Sequence, residues 1–171
     1  RNEIDHFIHE SLVRNGLQPS LPAEDAVLLR RLYYAITGLP PREQQPEYPI
    51  DLEQRIDLLL DDANYGANQA RYWLDLVRYA DSDGYNADHA RPEAAKYRDY
   101  VVRSFNADKP YDQFVREQLA GDEINPGDRD SLIATMYLRH WIYEWNQRDV
   151  EGQWAEILSD LTETTSDAFL G

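Results

Sequence analysis

Asp81, Asp83 and Asp88 stand close together in the chain, with Ser82, Tyr85, Asn86 and His89 among them. Oxygens spaced this way can hold a hard cation, clamp arginines, or work as a general acid and base. Calcium is the candidate cation, with Asp81, Asp83 and Asp88 as its ligands. The EF-hand pattern wants glycine sixth and glutamate twelfth. Counted from Asp81, Gly84 is fourth, Asn86 is sixth and Pro92 is twelfth, so only the composition agrees. Asp81 and Asp83 are the acid/base pair a hydrolase would need, but two nearby aspartates are common in an acidic chain and name no reaction. The third reading needs no ligand: Arg78, Arg91 and Arg98 flank the loop and can neutralise it. Arg91 and Arg98 are seven residues apart, so both can lie on one side of a helix and reach back to the aspartates. Arg78, Asp81, Asp83, Tyr85, Arg91 and Arg98 are therefore the candidate ligand-contacting cluster.

A second set is aromatic. Trp141, Tyr143 and Trp145 alternate in a stretch without clear periodicity, and are candidates for an exposed contact surface. Tyrosine and tryptophan can stack on sugar rings, which makes a glycan a candidate ligand for Trp141 and Trp145. Trp73 and Trp154 sit at helical spacing and read as core. His6 and His9, three apart on a helix, have no third ligand near them and read as surface histidines.

The element that must position the acidic loop is the helix before it. Ala70, Trp73, Leu74, Val77 and Ala80 repeat at three and four, predicting a helix over 67–80 with one apolar face. Gly84 can take the left-handed conformation that ends helices. Two carboxylates beside a helix C-terminus oppose the dipole there, so a cation, arginines or backbone donors should offset them.

The other elements follow from the same periodicity. Helices are expected over 4–15 and 23–37, stopped by Gly16 and by Gly38 before Pro40 and Pro41. Asp51 can cap a third, carrying Leu52, Ile56, Leu59 and Leu60. Residues 42–49 read as a loop. Pro92 suits the first turn of a helix that aligns Ala94, Tyr97, Val101 and Phe105. Another helix follows Pro110 and is closed by Gly121. A seventh has Asp128 or Asp130 as its cap. The last, over 150–169, places Val150, Trp154, Ile157, Leu158, Leu161 and Ala168 together. The expectation is all-α: a single compact multi-helix domain of about eight helices with short loops, spanning 1–171.

Composition narrows the function classes. The 171 residues suit one domain with its own core. The absence of cysteine removes disulfides, thiolate metal sites and cysteine nucleophiles from this chain. A net charge of −15 repels phosphates, so nucleic acid is not an expected partner. No apolar run is long enough to span a bilayer. No signal peptide opens the chain, which is expected to be a mature or excised fragment. No phosphate-binding glycine loop, Gly-x-Ser-x-Gly or His-Glu-x-x-His occurs.

Several runs together resemble a known family. They are Leu28-Leu29-Arg30-Arg31-Leu32-Tyr33 with Thr37-Gly38-Leu39-Pro40-Pro41, and Trp73-Leu74-Asp75 with Arg78-Tyr79-Ala80-Asp81-Ser82-Asp83-Gly84-Tyr85. Then come Tyr97-Arg98-Asp99-Tyr100-Val101, Phe105-Asn106-Ala107-Asp108-Lys109-Pro110-Tyr111-Asp112, and Phe114-Val115-Arg116-Glu117-Gln118-Leu119-Ala120-Gly121-Asp122. Thr164-Thr165 and Ala168-Phe169-Leu170-Gly171 complete the set. The chain resembles the helical domain of unknown function found in large exported planctomycete proteins beside c-type cytochrome segments. It departs from that pattern over 42–49 and over 141–145. The resemblance implies export to the periplasm or cell surface, and a c-type haem in an adjoining segment rather than in this chain. It also implies an association with polysaccharide degradation. The expected partner is the adjoining redox domain or a basic protein docking to the acidic surface. The expected role is an accessory domain, not catalytic by itself; the alternative is a carbohydrate-binding or carbohydrate-active domain that uses calcium.

Overall fold

The computed structural model describes residues 2–42, 51–86, 88–143 and 148–171. Eight α-helices run in order: α1 (Glu3–Arg14), α2 (Asp25–Ile36), α3 (Leu52–Leu60), α4 (Asn64–Leu76), α5 (Ala94–Asn106), α6 (Tyr111–Ile124), α7 (Arg129–Ala134) and α8 (Val150–Phe169). A 3-10 turn, Thr135–Arg139, extends α7. Among the described residues there is no strand, only one isolated bridge between Ser82 and Ala90. The fold is the expected all-α domain.

The predicted caps hold where the chemistry is local. Asp51 accepts from the Gln54 amide and Asp128 from the Ser131 amide, each satisfying an orphan donor at a helix start. Gly16 and Gly38 both take positive φ after their helices. Asn68 of α4 adds an end-cap that periodicity does not reveal. Its amide donates to the carbonyls of Ala35 and Ile36 at 3.0 and 3.2 Å, fastening the end of α2 to α4.

The main core is built by α4, α5, α6, α7 and the 3-10 turn. Trp73, Val77, Tyr97, Tyr100, Val101 and Phe114 are buried in it. A smaller cluster of Leu29, Tyr33 and Leu59 joins α2 to α3. Two glycines set close helix approaches. A Cβ on Gly66 would stand 2.5 Å from the Val102 carbonyl, and one on Gly121 would stand 2.2 Å from the Ser131 carbonyl.

Three expectations are corrected here. First, Gly121 does not close α6. The helix kinks at Ala120 (φ −150°, ψ 28°) and runs on to Ile124, because Gly121 is the point where α6 meets α7. Second, Trp154 is not core. It is 51% exposed, and Val150 and Leu158 are exposed with it. The buried face of α8 carries Ile157, Asp160 and Thr164 instead. Third, α4 stops at Leu76 rather than near Ala80. The residue that ends it is Arg78, at φ 56°, and not Gly84.

Candidate functional site

The end of α4 has the bond pair of a Schellman motif. Tyr79 donates to the Leu74 carbonyl at 2.9 Å, and Arg78 to the Asp75 carbonyl at 3.1 Å. Glycine usually fills the left-handed position of that motif. Here an arginine does, at a cost of ~1 kcal/mol or more. Its side chain supplies the compensation. The guanidinium forms a two-pronged ion pair with Asp160 of α8, one contact at 2.7 Å, and also bonds Thr164 one turn later. Its other face stands 5.2 Å from the centroid of the Trp141 ring. Burial pulls the guanidinium below its ordinary pKa, while Glu163 and Asp167 favour its charge. One residue therefore joins the end of α4, the face of α8 and the aromatic stretch.

The acidic loop around Asp81, Asp83 and Asp88 is held mainly by its own backbone and by Arg91. Arg91 N–H donates to the Asp81 carbonyl (2.7 Å) and Asp83 N–H to the His89 carbonyl (2.8 Å), across the Ser82–Ala90 bridge. The Arg91 side chain bonds Asp83 at 2.6 Å and the carbonyls of Arg139 and Trp141 at 3.0 and 2.8 Å. The Asp83 carbonyl in turn accepts from the Tyr143 amide at 2.9 Å. The loop and residues 139–143 are thus one unit. Arg91 is the positive group that the aspartates demand, together with backbone donors.

The other candidates are dispersed. Asp81 accepts from the Tyr79 hydroxyl; burial first, and then this acceptor, push the Tyr79 pKa up to about 12. Asp88 accepts from the Gly84 amide at 3.0 Å. Tyr85 projects from the exposed loop tip in a left-handed conformation. Arg98 is exposed on α5 and makes its ion pair with its neighbour Asp99 at 3.1 Å rather than with the loop aspartates, though it stands near enough for the Asp81 charge to favour its own. Trp141 is half-buried and shares its ring face with Arg78. Trp145 lies outside the described residues. The carboxylates of Asp81, Asp83 and Asp88 each take a different donor and form no oxygen cage. Among the described residues no group of three or more His, Cys, Asp or Glu side chains is placed to hold a metal ion.

The centre of this region is a residue that no motif in the sequence marks. His140 is 7% exposed, with its ring 4.6 Å from that of Tyr97 and 5.5 Å from that of Tyr79. Its Nε2 is buried and meets no hydrogen-bond partner among the described residues. Burial, with Arg91 and Arg78 nearby, lowers its pKa to about 4, so the ring is neutral at pH 7. A cavity of about 670 Å³ opens beside it, lined by Asp83, Arg91, Arg139, His140 and Tyr143 among others. Arg139 lies 5.3 Å over Tyr143 and 6.0 Å over Trp154. Beneath the histidine, the Tyr97 hydroxyl accepts from the Trp73 indole at 3.1 Å and donates to Gln118 at 2.5 Å. Gln118 is fully buried and donates to the Phe114 carbonyl at 3.1 Å, so this polar knot is closed within the core.

The chemistry of the assembly is fixed charge and stacked rings. Arg78, through Asp160, and Arg91, through the carbonyls of Arg139 and Trp141, fasten segments distant in sequence. Residues 3–171 match the family model PSCyt2, a protein of unknown function (DUF1549). The chain belongs to that family. Nothing matches among curated proteins or among solved structures.

Proposed function

We propose that this chain is a helical docking and support domain of an exported electron-transfer protein, presenting an acidic surface to a basic, haem-bearing partner or adjoining segment. The observation that supports it most is how the charges are divided. Two arginines, Arg78 and Arg91, are committed to ion pairs at Asp160 and Asp83, in a chain whose 32 acidic residues already outnumber its 17 basic ones. On α8, Glu156, Glu163 and Asp167 are exposed and follow the helical spacing of the clamped Asp160. The clamps hold that stripe and the acidic loop in fixed relation, so a partner would meet a preformed field.

The test has two parts. A pyridine haemochrome spectrum of the full-length protein, made with haem-maturation machinery, should show a c-type haem. Association with a basic c-type cytochrome, followed by stopped flow, should slow by ~10-fold or more between low and physiological ionic strength. Replacing Glu156, Glu163 and Asp167 together by lysine should slow it further at low salt. A salt-independent rate would refute docking, and a full-length product without haem would refute the electron-transfer setting.

A further inference from the structure

A second cavity, of about 250 Å³, opens where the start of α4, the end of α5 and the start of α6 converge. Tyr65, Trp73, Phe105, Tyr111 and Phe114 line it. Trp73 and Phe114 meet edge to face at 5.0 Å and 66°, and Phe105 tilts by 53° against Phe114 at 6.0 Å. The rings therefore form walls at angles to one another rather than one stack. Trp73 and Phe114 are buried, Tyr65 and Phe105 half-buried, and Tyr111 exposed, as a floor, sides and rim would be.

The polar lining is sparse. Ser104 is occupied, donating to the Tyr100 carbonyl at 2.9 Å. The Lys109 ammonium is occupied too, pairing with Glu117 and standing 4.6 Å over the Tyr100 ring. Asp108 differs. Its carboxylate has no hydrogen-bond or ion-pair partner among the described residues, and it projects from a left-handed backbone position, φ 47°. Bonds from Lys109 N–H to the Ser104 carbonyl (3.0 Å) and from Asp108 N–H to the Phe105 carbonyl (3.1 Å) hold it there.

Aromatic walls with a carboxylate at the mouth define one class of ligand. Ring faces attract cations through their quadrupole, and an apolar box disfavours a strongly hydrated ion. The volume lies below the ~300–1,000 Å³ of drug-sized sites, which suits a small head group. The net charge of −15 raises the local concentration of any cation. We propose that this cavity binds a small alkylated ammonium ion, with the aromatic side chains around the head group and Asp108 opposite its charge. This site is independent of the docking surface.

Choline and tetramethylammonium are the probes, and the four tryptophan indole N–H signals in a nitrogen-edited NMR spectrum are the readout. The Trp73 signal, identified by its loss in Trp73→Phe, should shift saturably. The neutral carbon isostere of choline, 3,3-dimethylbutan-1-ol, should bind more weakly. Asp108→Asn should weaken choline by about tenfold, since it removes the charge while asparagine tolerates the left-handed backbone. Tyr111→Ala, an exposed change that leaves the core intact, should also weaken it. No saturable shift of Trp73, equal binding of the neutral isostere, or undiminished affinity in Asp108→Asn would each overturn the proposal.

Discussion

At the scale of single residues, strain and burial are offset by specific partners, and the offsets can be measured. Arg78→Ala removes the ion pair and leaves Asp160 buried and unpaired, which should cost about 3–5 kcal/mol. Arg78→Gly loses the same partner but relieves the left-handed backbone, so it should be more stable than the alanine variant by ~1 kcal/mol. Urea denaturation of both variants checks the order; equal stabilities would mean that the backbone is unstrained. His140 makes a prediction in pH. Its folded pKa, about 4, lies below the ordinary value of 6.5, so the unfolded chain takes up the proton first. This group is therefore silent above pH ~6.5 and costs stability as pH falls toward 4, by ~3 kcal/mol in all. His140→Phe keeps a ring against Tyr97 and removes the titration. Its stability curve should be flatter than that of the parent between those limits. Asp62, Glu117 and Asp128, held below the usual carboxylate range, lose their contribution as pH falls below their ordinary values, in parent and variant alike, so they cancel from the comparison. Parallel curves for parent and variant would show that His140 is not desolvated.

At the scale of elements, helix interiors were legible from periodicity, whereas the joints between helices were not. Trp73, Tyr97 and Val101 occupy the face their spacing assigns, and α8 spans the predicted 150–169. Its face was misjudged because Trp154 and Leu158 match the apolar stripe, while Asp160 and Thr164 turn inward only because Arg78 awaits them. That partner lies 82 residues away, beyond the reach of any local rule. The end of α4 departs from expectation for a related reason: glycine is the usual occupant of the left-handed position, and here a clamped arginine holds it. Within the candidate site, the Asp83–Arg91 pairing was readable from charge and proximity. His140 was not, because nothing in a sequence distinguishes a buried neutral histidine from an exposed one. Gly121 shows the same limit. It resembles a helix stop, yet it is the close contact of α6 with α7, so Gly121→Ala should destabilise by about 3 kcal/mol. Thermal unfolding is the measurement. A loss below ~0.5 kcal/mol, the level of a surface substitution, would mean that the two helices can separate freely.

At the scale of the whole molecule, one charge distribution acts on folding and on the proposed association with opposite signs. The excess of acids over bases repels itself in the compact state, so added salt should stabilise the fold by screening that repulsion. The pair that holds the loop is less exposed to screening, with the Asp83 and Arg91 side chains 13% and 18% accessible; in the other, Asp160 is 10% accessible but Arg78 is 35%. Raising ionic strength from ~10 mM to ~0.3 M should therefore increase the melting temperature by a few degrees. If the chain docks as proposed, the same change should slow association with a basic partner, because the attracting field is the one being screened. The two trends separate a docking defect from an unfolding defect, since a chain that merely lost structure would not melt later as it bound more slowly. Scanning calorimetry and stopped flow on one salt series give both. A melting temperature that falls with salt would mean that exposed ion pairs, rather than net repulsion, dominate the surface, and the acidic field would then be too weak to guide a partner.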